Sequence, residues 1–368
     1  MLTRSGSFVV FHHPGAPLEL RRAELPSLGH GEILVRNVYA TLCRSDVSTW
    51  SGKRREESPT ILGHEIVGRI DQLGPEAPRH DLRGKPLRAG DRVTWAVYAS
   101  DPSGALARRG MPQKAPDLFK YGHEQLTEQS GFHGGLAEFT VLRRHTPVLR
   151  IDDAVPDVVA APINCAFATV AGALRLAGDL RNRRVVVSGA GMLGLIACAM
   201  AKTAGARQVV AQDLDAERLS VATQFGADEG VLVAFGTRDA APVAPSYRAD
   251  VVLEFSGAAA AVEASVATLD IGGIAVWVGA THPDRPAHLD AEQVVRRLLT
   301  VRGLHNYHAD DLVAAVEFVE RHHQTVPFAS LVREGFCLSE AEAAFRCAHL
   351  DRPFRVGVRP DLPTSPPA

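Results

Sequence analysis

The chain has 368 residues, 46% of them hydrophobic, and a net charge of −2. That length is enough for a full core and two or three domains, and the balanced charge offers no basic surface for nucleic acid or an anionic membrane. Five cysteines (Cys43, Cys165, Cys198, Cys337 and Cys347) are odd in number and widely spaced, which argues against a disulfide framework and for a reducing, cytoplasmic setting.

The first run, 8–11, is strand-like and is interrupted by His12-His13-Pro14 too soon to form a signal peptide. Strand-like runs at 33–38, 65–70 and 92–97, separated by Gly and Pro turns, predict a mostly β unit. Residues 100–130 are irregular and rich in Pro, Gly and charge. Helical spacing then begins at Thr169 and runs toward Leu176. Strands at 184–188, 208–212, 251–255 and 274–279 alternate with helices at 193–204, 216–225 and 259–269. Such alternation predicts an α/β domain, a doubly wound parallel sheet with helices on both faces. The most apolar stretch, 185–201, contains three glycines and is short for a bilayer span, so no membrane partner is expected. An amphipathic helix is predicted at 311–320, and the proline-rich tail beyond Arg359 is expected to be disordered.

Gly189-Ala190-Gly191-Met192-Leu193-Gly194 is a G-x-G-x-x-G run directly after a predicted strand and at the start of a predicted helix. Gly189 permits the tight turn, Gly191 lets the backbone approach a pyrophosphate, and Gly194 lets helix and strand pack closely. The N–H groups at Met192 and Leu193 belong to the helix N-terminus that faces such an anion. Asp213, nineteen residues past Gly194, can accept from both ribose hydroxyls and repel a 2′-phosphate, which favours NAD over NADP. Arg218, one turn later, weighs slightly against that preference. Ser256 ends a strand at the carboxyl edge of the sheet, where the nicotinamide side would lie. A turn that binds no nucleotide, or one that binds S-adenosylmethionine, is the competing interpretation.

Cys43, His64 and Cys165 are the candidate metal ligands. A lone Cys is ordinarily a small buried hydrophobe, and a lone His is more often a satisfied core or surface group. Together, two sulfurs and one imidazole leave a fourth position open, which is how a catalytic rather than a structural zinc is held.

The segments Cys43-Arg44-Ser45-Asp46, Gly63-His64-Glu65, Asn164-Cys165-Ala166-Phe167-Ala168-Thr169 and Gly189 to Gly194 resemble the zinc-containing alcohol dehydrogenases of the medium-chain dehydrogenase/reductase superfamily. The resemblance spans roughly residues 5 to 358. Within it, Thr49-Trp50-Ser51-Gly52, Lys120-Tyr121-Gly122-His123-Glu124 and Gly303-Leu304-His305-Asn306-Tyr307 look most like a phosphonate-associated subgroup. The resemblance implies a GroES-like catalytic domain from 1–166 and 306–368 and a Rossmann NAD-binding domain from 167–305. It implies one catalytic zinc on Cys43, His64 and Cys165. Asp46 would orient His64, Glu65 would stand just outside the ligand shell, Arg44 would reach the NAD pyrophosphate, and Ser45 would take the alcohol proton. The substrate would be a small polar alcohol, such as a hydroxyalkyl phosphonate, a polyol or a cyclitol. A homodimer or homotetramer is expected.

The chain departs from the family in two places. The outer relay histidine is replaced by Ser48, so the proton path would end on the NAD ribose, on water or on a nearby histidine. The four cysteines of a structural zinc are replaced by Asp101, Gly104, Ala107 and Ala115, so that second metal is expected to be absent. Gly122-His123-Glu124 repeats the triplet at 63–65 without a cysteine partner, and His123 reads primarily as a surface residue, with a place near the substrate as the alternative. Cys198, Cys337 and Cys347 are expected to pack in the core. The alternatives in function are a zinc-free medium-chain reductase of quinones or enoyl groups, and a non-catalytic NAD-binding protein.

Overall fold

The computed structural model describes residues 4–127, 131–234, 248–281 and 284–360. The chain divides into two compact units: Met1–Cys165 with His308–His323 and Phe328–Ala368, and Ala166–Tyr307 with Gln324–Pro327. The tail from residue 361, expected to be disordered, lies outside the described residues.

In the first unit the organising element is the strand Ile33–Leu42, rich in the β-branched and aromatic side chains that suit a pleated surface. It pairs antiparallel with Glu65–Leu73 along its length, with Phe139–Leu142 at its start and with Arg355–Arg359 at its end. Val332–Cys337, Arg92–Trp95 and Val148–Arg150 complete a seven-stranded sheet. Its apolar side chains feed two clusters, one around Phe8, Leu136 and Phe345, the other around Trp95, Tyr121 and Ile66. The register is functionally decisive. Thr41 faces Glu65, so Cys43, just past one strand, and His64, just before the next, emerge at the same end of the sheet. The 3-10 turn Ala161–Asn164 brings Cys165 there as well. Its Asn164 donates from Nδ2 to the His64 carbonyl (3.0 Å) and accepts at Oδ1 from the Ile66 N–H (3.3 Å).

The described part of the irregular stretch expected at 100–130 contains the helix Ala105–Arg108, the 3-10 turn Pro112–Lys114 and the strand Phe119–Lys120, which pairs with Tyr98–Ala99 just before the stretch. At the positions of the replaced cysteines, hydrogen bonds hold the backbone: the Asp101 N–H donates to Asp117 (2.8 Å), and the Asp101 carboxylate accepts from the Ser103 N–H (2.8 Å).

The second unit is a six-stranded parallel sheet in the order Glu229–Leu232, Gln208–Asp213, Arg184–Ser188, Ala249–Glu254, Leu269–Trp277, Thr300–Gly303. This is the 3-2-1-4-5-6 order of a dinucleotide-binding fold. Its helices Met192–Thr203, Ala216–Ala222 and Ala259–Thr268 follow the strands as the alternation predicts. The two outermost strands lack an apolar run and are mostly exposed, which is why periodicity does not reveal them. No single helix among the described residues is long and apolar enough to cross a membrane.

Candidate metal centre and glycine turn

Cys43 is the N-cap of the short helix Arg44–Trp50, and Asp46 in its first turn accepts the Cys43 N–H at 2.8 Å. The same carboxylate accepts from the Gly63 N–H (3.2 Å) and from Nδ1 of His64 (3.2 Å). A carboxylate can only accept, so Nδ1 carries the proton, and in the neutral ring Nε2 presents its lone pair inward. Nε2 lies 3.4 Å from Sγ of Cys165. The ligand atoms of Cys43, His64, Glu65 and Cys165 all lie within 4.8 Å of one another. Gly63 has φ +91, and a Cβ there would meet the Leu136 N–H at 3.2 Å, so the turn that aims His64 requires glycine.

Glu65 is closer to the ligands than the sequence suggests, lying within the donor cluster itself. Arg355 holds its carboxylate through contacts of 2.9 to 3.1 Å, and Thr41 donates to it at 2.6 Å. Nη2 of Arg355 also lies 3.7 Å from Sγ of Cys43. Both ion-pair partners are buried, with side-chain exposures of 3% for Arg355 and 0% for Glu65. Burial pushes the Glu65 carboxyl up, opposed by Arg355. The Cys43 thiol is held well below its ordinary value by a hydrogen bond from Cys165, aided by Arg355, while Cys165 is pushed up by the same bond and by burial. Burial lowers the His64 imidazole, but Asp46 and then Cys43 together hold it well above its ordinary value.

This donor set fits zinc. Two thiols in contact cannot both ionise unless a cation shares them. A divalent ion would neutralise both thiolates while Arg355 neutralises Glu65, leaving the buried centre in balance. The observed 3.4 Å between Nε2 and Sγ is close to the roughly 3.5 Å separation that tetrahedral zinc–nitrogen and zinc–sulfur bonds impose.

The structure moves His123 from the surface to the site. It is half-buried, and its ring centroid lies 5.0 Å from that of His64. A Cβ on Gly122 would meet the Gly63 carbonyl at 2.5 Å, so the two Gly-His-Glu triplets lie against each other. His123 donates from Nδ1 to Glu56 at 3.0 Å, and Glu56 also pairs with Arg54 at 2.6 Å. Ser45 and Ser48 are half-buried in the helix that Cys43 caps, and Arg44 is exposed beside them. Cys198 is fully buried, its thiol pushed up to about 12 by burial, as a packing residue would be. Cys337 is a correction, half-exposed at the end of the outermost strand Val332–Cys337, whereas Cys347, in the helix Ala341–Leu350 beside Arg333, is partly buried and packs against the cluster around Phe345.

In the second unit, Gly189 has φ +95, and a Cβ on Gly194 would sit 1.8 Å from the Gly189 carbonyl oxygen. Gly191 caps the helix whose first residues are Met192 and Leu193. The Asp213 carboxylate accepts from the Ala190 N–H (2.6 Å) and the Asp215 N–H (3.0 Å), which ties the second strand to the glycine turn. Arg218 reaches over that turn, with Nη1 3.6 Å from where a Gly191 Cβ would be. The Ser256 backbone lies against Gly189, and its hydroxyl donates to buried Glu254 at 2.5 Å.

Residues 29–153 match the family model of the alcohol dehydrogenase GroES-like domain, and residues 193–321 that of zinc-binding dehydrogenases. An L-threonine 3-dehydrogenase from Edwardsiella ictaluri is 31% identical over 294 residues, covering 76% of this chain and 79% of its own. The chain belongs to the zinc-binding alcohol dehydrogenase family. Its fold is accordingly a GroES-like domain with a Rossmann-like domain. An alcohol dehydrogenase from Thermotoga maritima shares that fold with TM-score 0.88 at 25% identity, covering 97% of this chain and 100% of that one. A zinc-binding dehydrogenase from Sinorhizobium meliloti, bound to NADP, shares it with TM-score 0.83 at 21% identity, covering 97% and 100%.

Arg355 and Thr41, which hold Glu65, and Glu56 and Arg54, which lie beside His123, border the candidate centre and were missed by sequence reasoning. Arg355 lies 290 positions from Glu65 with no local motif. The repeated Gly-His-Glu triplet was the one available signal for the His123 side of the site.

Proposed function

We propose that this dehydrogenase oxidises a small polar alcohol with NAD, using one zinc ion held by Cys43, His64 and Cys165. The candidate substrates are a hydroxyalkyl phosphonate, a polyol or a cyclitol. The observation that carries the reading is the convergence of two sulfurs and an imidazole within 4.8 Å, with Asp46 fixing the imidazole tautomer. When bound, zinc supplies the positive charge that makes an alcohol acidic near neutral pH, and the nicotinamide takes the hydride. The chain's own residues bind, orient and balance charge. Asp46 keeps the Nε2 lone pair of His64 available as a ligand. Arg355 holds Glu65 and so limits its negative charge beside the thiolates. Ser45 receives the alcohol proton, and its half-buried position in the helix leaves that proton a path outward. Gly189, Gly191 and Gly194 shape the pyrophosphate turn, and the N–H groups of Met192 and Leu193 face it. Arg44 and Arg218 add positive charge for the phosphates. Asp213 selects an unphosphorylated ribose, and Ser256 lines the nicotinamide side. Exposed Ile271, Val295 and Leu298, at 72%, 72% and 73%, support a homodimer or homotetramer.

The test is NADH formation by zinc-loaded protein across an alcohol panel, with metal content measured alongside. About one zinc per chain and saturable, zinc-dependent turnover are expected. Full activity after the metal is stripped would remove the reading.

A further inference from the structure

At the carboxyl edge of the parallel sheet, three neighbouring turns sit backbone against backbone. The strand order puts the end of Arg184–Ser188, which opens the glycine turn, beside the end of Ala249–Glu254, and that beside the end of Leu269–Trp277. A Cβ on Gly189 would meet the Ser256 nitrogen at 3.0 Å, and a Cβ on Gly257, at φ +75, would run into the Gly279 carbonyl. The middle turn, 255–257, is therefore wedged between its two neighbours.

One buried side chain fixes that middle turn. Glu254 ends its strand and is 0% exposed. Its Oε1 accepts the Ser256 N–H at 2.7 Å, the Ser256 hydroxyl at 2.5 Å and the Gly257 N–H at 2.9 Å. The same hydroxyl accepts the Ala258 N–H at 3.3 Å, at the entry to the helix Ala259–Thr268. Oε2 is sealed from solvent and has no hydrogen-bond partner among the described residues. Burial pushes this carboxyl up, opposed by the Ser256 hydroxyl and the neighbouring N–H groups. Burying a carboxyl is costly. Three donors converging on one oxygen offset that cost, and they hold the turn in one conformation before any ligand arrives. The glycine turn next to it is held separately, by Asp213 through the Ala190 N–H (2.6 Å) and by the Gly189 N–H donating to the Gln212 carbonyl (2.8 Å).

A dinucleotide laid across this edge has Asp213 at one ribose and the glycine turn at its pyrophosphate. Its other half then falls on the next turn along the sheet, 255–257. We propose that Glu254 is a positioning residue: by holding Ser256 and Gly257 it preorganises the surface that receives the nicotinamide half of the cofactor, without touching the cofactor itself. This rests on the dehydrogenase reading and adds to it a residue that acts through Ser256 and Gly257. Preorganisation of this kind raises affinity by removing the ordering cost from the binding step.

The experiment measures calorimetric binding of NADH and of ADP-ribose, which lacks the nicotinamide ring, to wild type, Glu254→Met and Glu254→Gln. Glu254→Met should weaken NADH by about tenfold to a hundredfold, the scale of lost hydrogen bonds to an acidic group, and ADP-ribose by no more than about twofold. Glu254→Gln keeps an acceptor oxygen and should restore most of the NADH affinity. A role in stability alone would weaken the two ligands alike. Equal weakening of both in Glu254→Met, weakening of neither, or a glutamine variant as weak as methionine overturns the inference. Hydrogen exchange on the wild type is a second readout that needs no variant to fold. The Ser256 and Gly257 amides should be protected before any cofactor is added, and exchange at the free-chain rate overturns the inference. A wild type that binds neither ligand overturns the dehydrogenase reading and this inference together, whereas a wild type that binds both leaves the variants to decide the role of Glu254 alone.

Discussion

The glycine turn and the metal centre are built on opposite plans. The turn is a continuous piece of chain whose geometry follows from the absence of side chains: a Cβ on Gly194 would lie 1.8 Å from a carbonyl oxygen, so backbone sterics alone fix the residue. The centre is assembled from four separate stretches around Cys43, His64, Cys165 and Arg355, and it is held by a register and by charge. The first kind of site is specified locally and tolerates change elsewhere. The second depends on every contributor, because each buried charge is balanced by another.

The strongest way to break that comparison is to remove a ligand. Cys43→Ser or His64→Ala should lose the metal and lower turnover on the order of 10³-fold or more, since the charge stabilisation of the alcohol goes with it. NADH binding, followed by fluorescence, should persist because the glycine turn is built independently. Loss of NADH binding together with zinc would show that the two sites are not separately specified.

Arg355→Met tests the charge balance without touching a ligand. It leaves Glu65 buried among thiolates, and urea unfolding should show a loss of about 3–5 kcal/mol. The double variant Glu65→Gln with Arg355→Met should lose markedly less, because no charge is then stranded. Equal losses would mean that Arg355 acts through packing alone.

Acid sharpens the contrast further. His133 in the first unit is 2% exposed, its ring nitrogens have no hydrogen-bond partner among the described residues, and burial lowers it to about 4. Above its ordinary value near 6.5, folded and unfolded chains are both neutral there and stability is unaffected. Below that value the unfolded chain takes up the proton and the folded one refuses it, so stability falls as pH drops from about 6.5 to about 4, by about 3 kcal/mol in all. The urea midpoint of His133→Leu should therefore fall less steeply between pH 7 and pH 5 than that of wild type. Parallel slopes would assign the acid sensitivity to other groups.

What was legible in the sequence follows the same division. Gly189 to Gly194 with Asp213 forms a contiguous pattern whose spacing encodes its geometry, and the central parallel strands announce themselves as apolar runs. Cys43, His64 and Cys165 were found because each sits in a short motif, although nothing local says that they meet. Their meeting is a consequence of the Thr41–Glu65 register, which is a pairing between strands and not a pattern within one. Arg355 and Glu56 carry no motif at all, so only the fold could add them. The outer strands Glu229–Leu232 and Thr300–Gly303 were missed because an exposed edge requires no apolar alternation.

The smallest expected effect separates two roles of one carboxylate. Asp213 accepts the Ala190 N–H at 2.6 Å, so it shapes the glycine turn, and by charge it would repel a 2′-phosphate. Asp213→Ala removes both roles, and the NAD-to-NADP ratio of kcat/KM should fall by about tenfold to a hundredfold. Asp213→Asn keeps an acceptor for Ala190 while removing the charge. If repulsion sets the preference, the asparagine variant should lose nearly as much discrimination as alanine, with NAD binding itself better preserved. If geometry sets it, asparagine should behave like wild type. Arg218, poised over Gly191, then becomes the residue through which NADP is gained, and adding Arg218→Ala to Asp213→Asn should remove that gain.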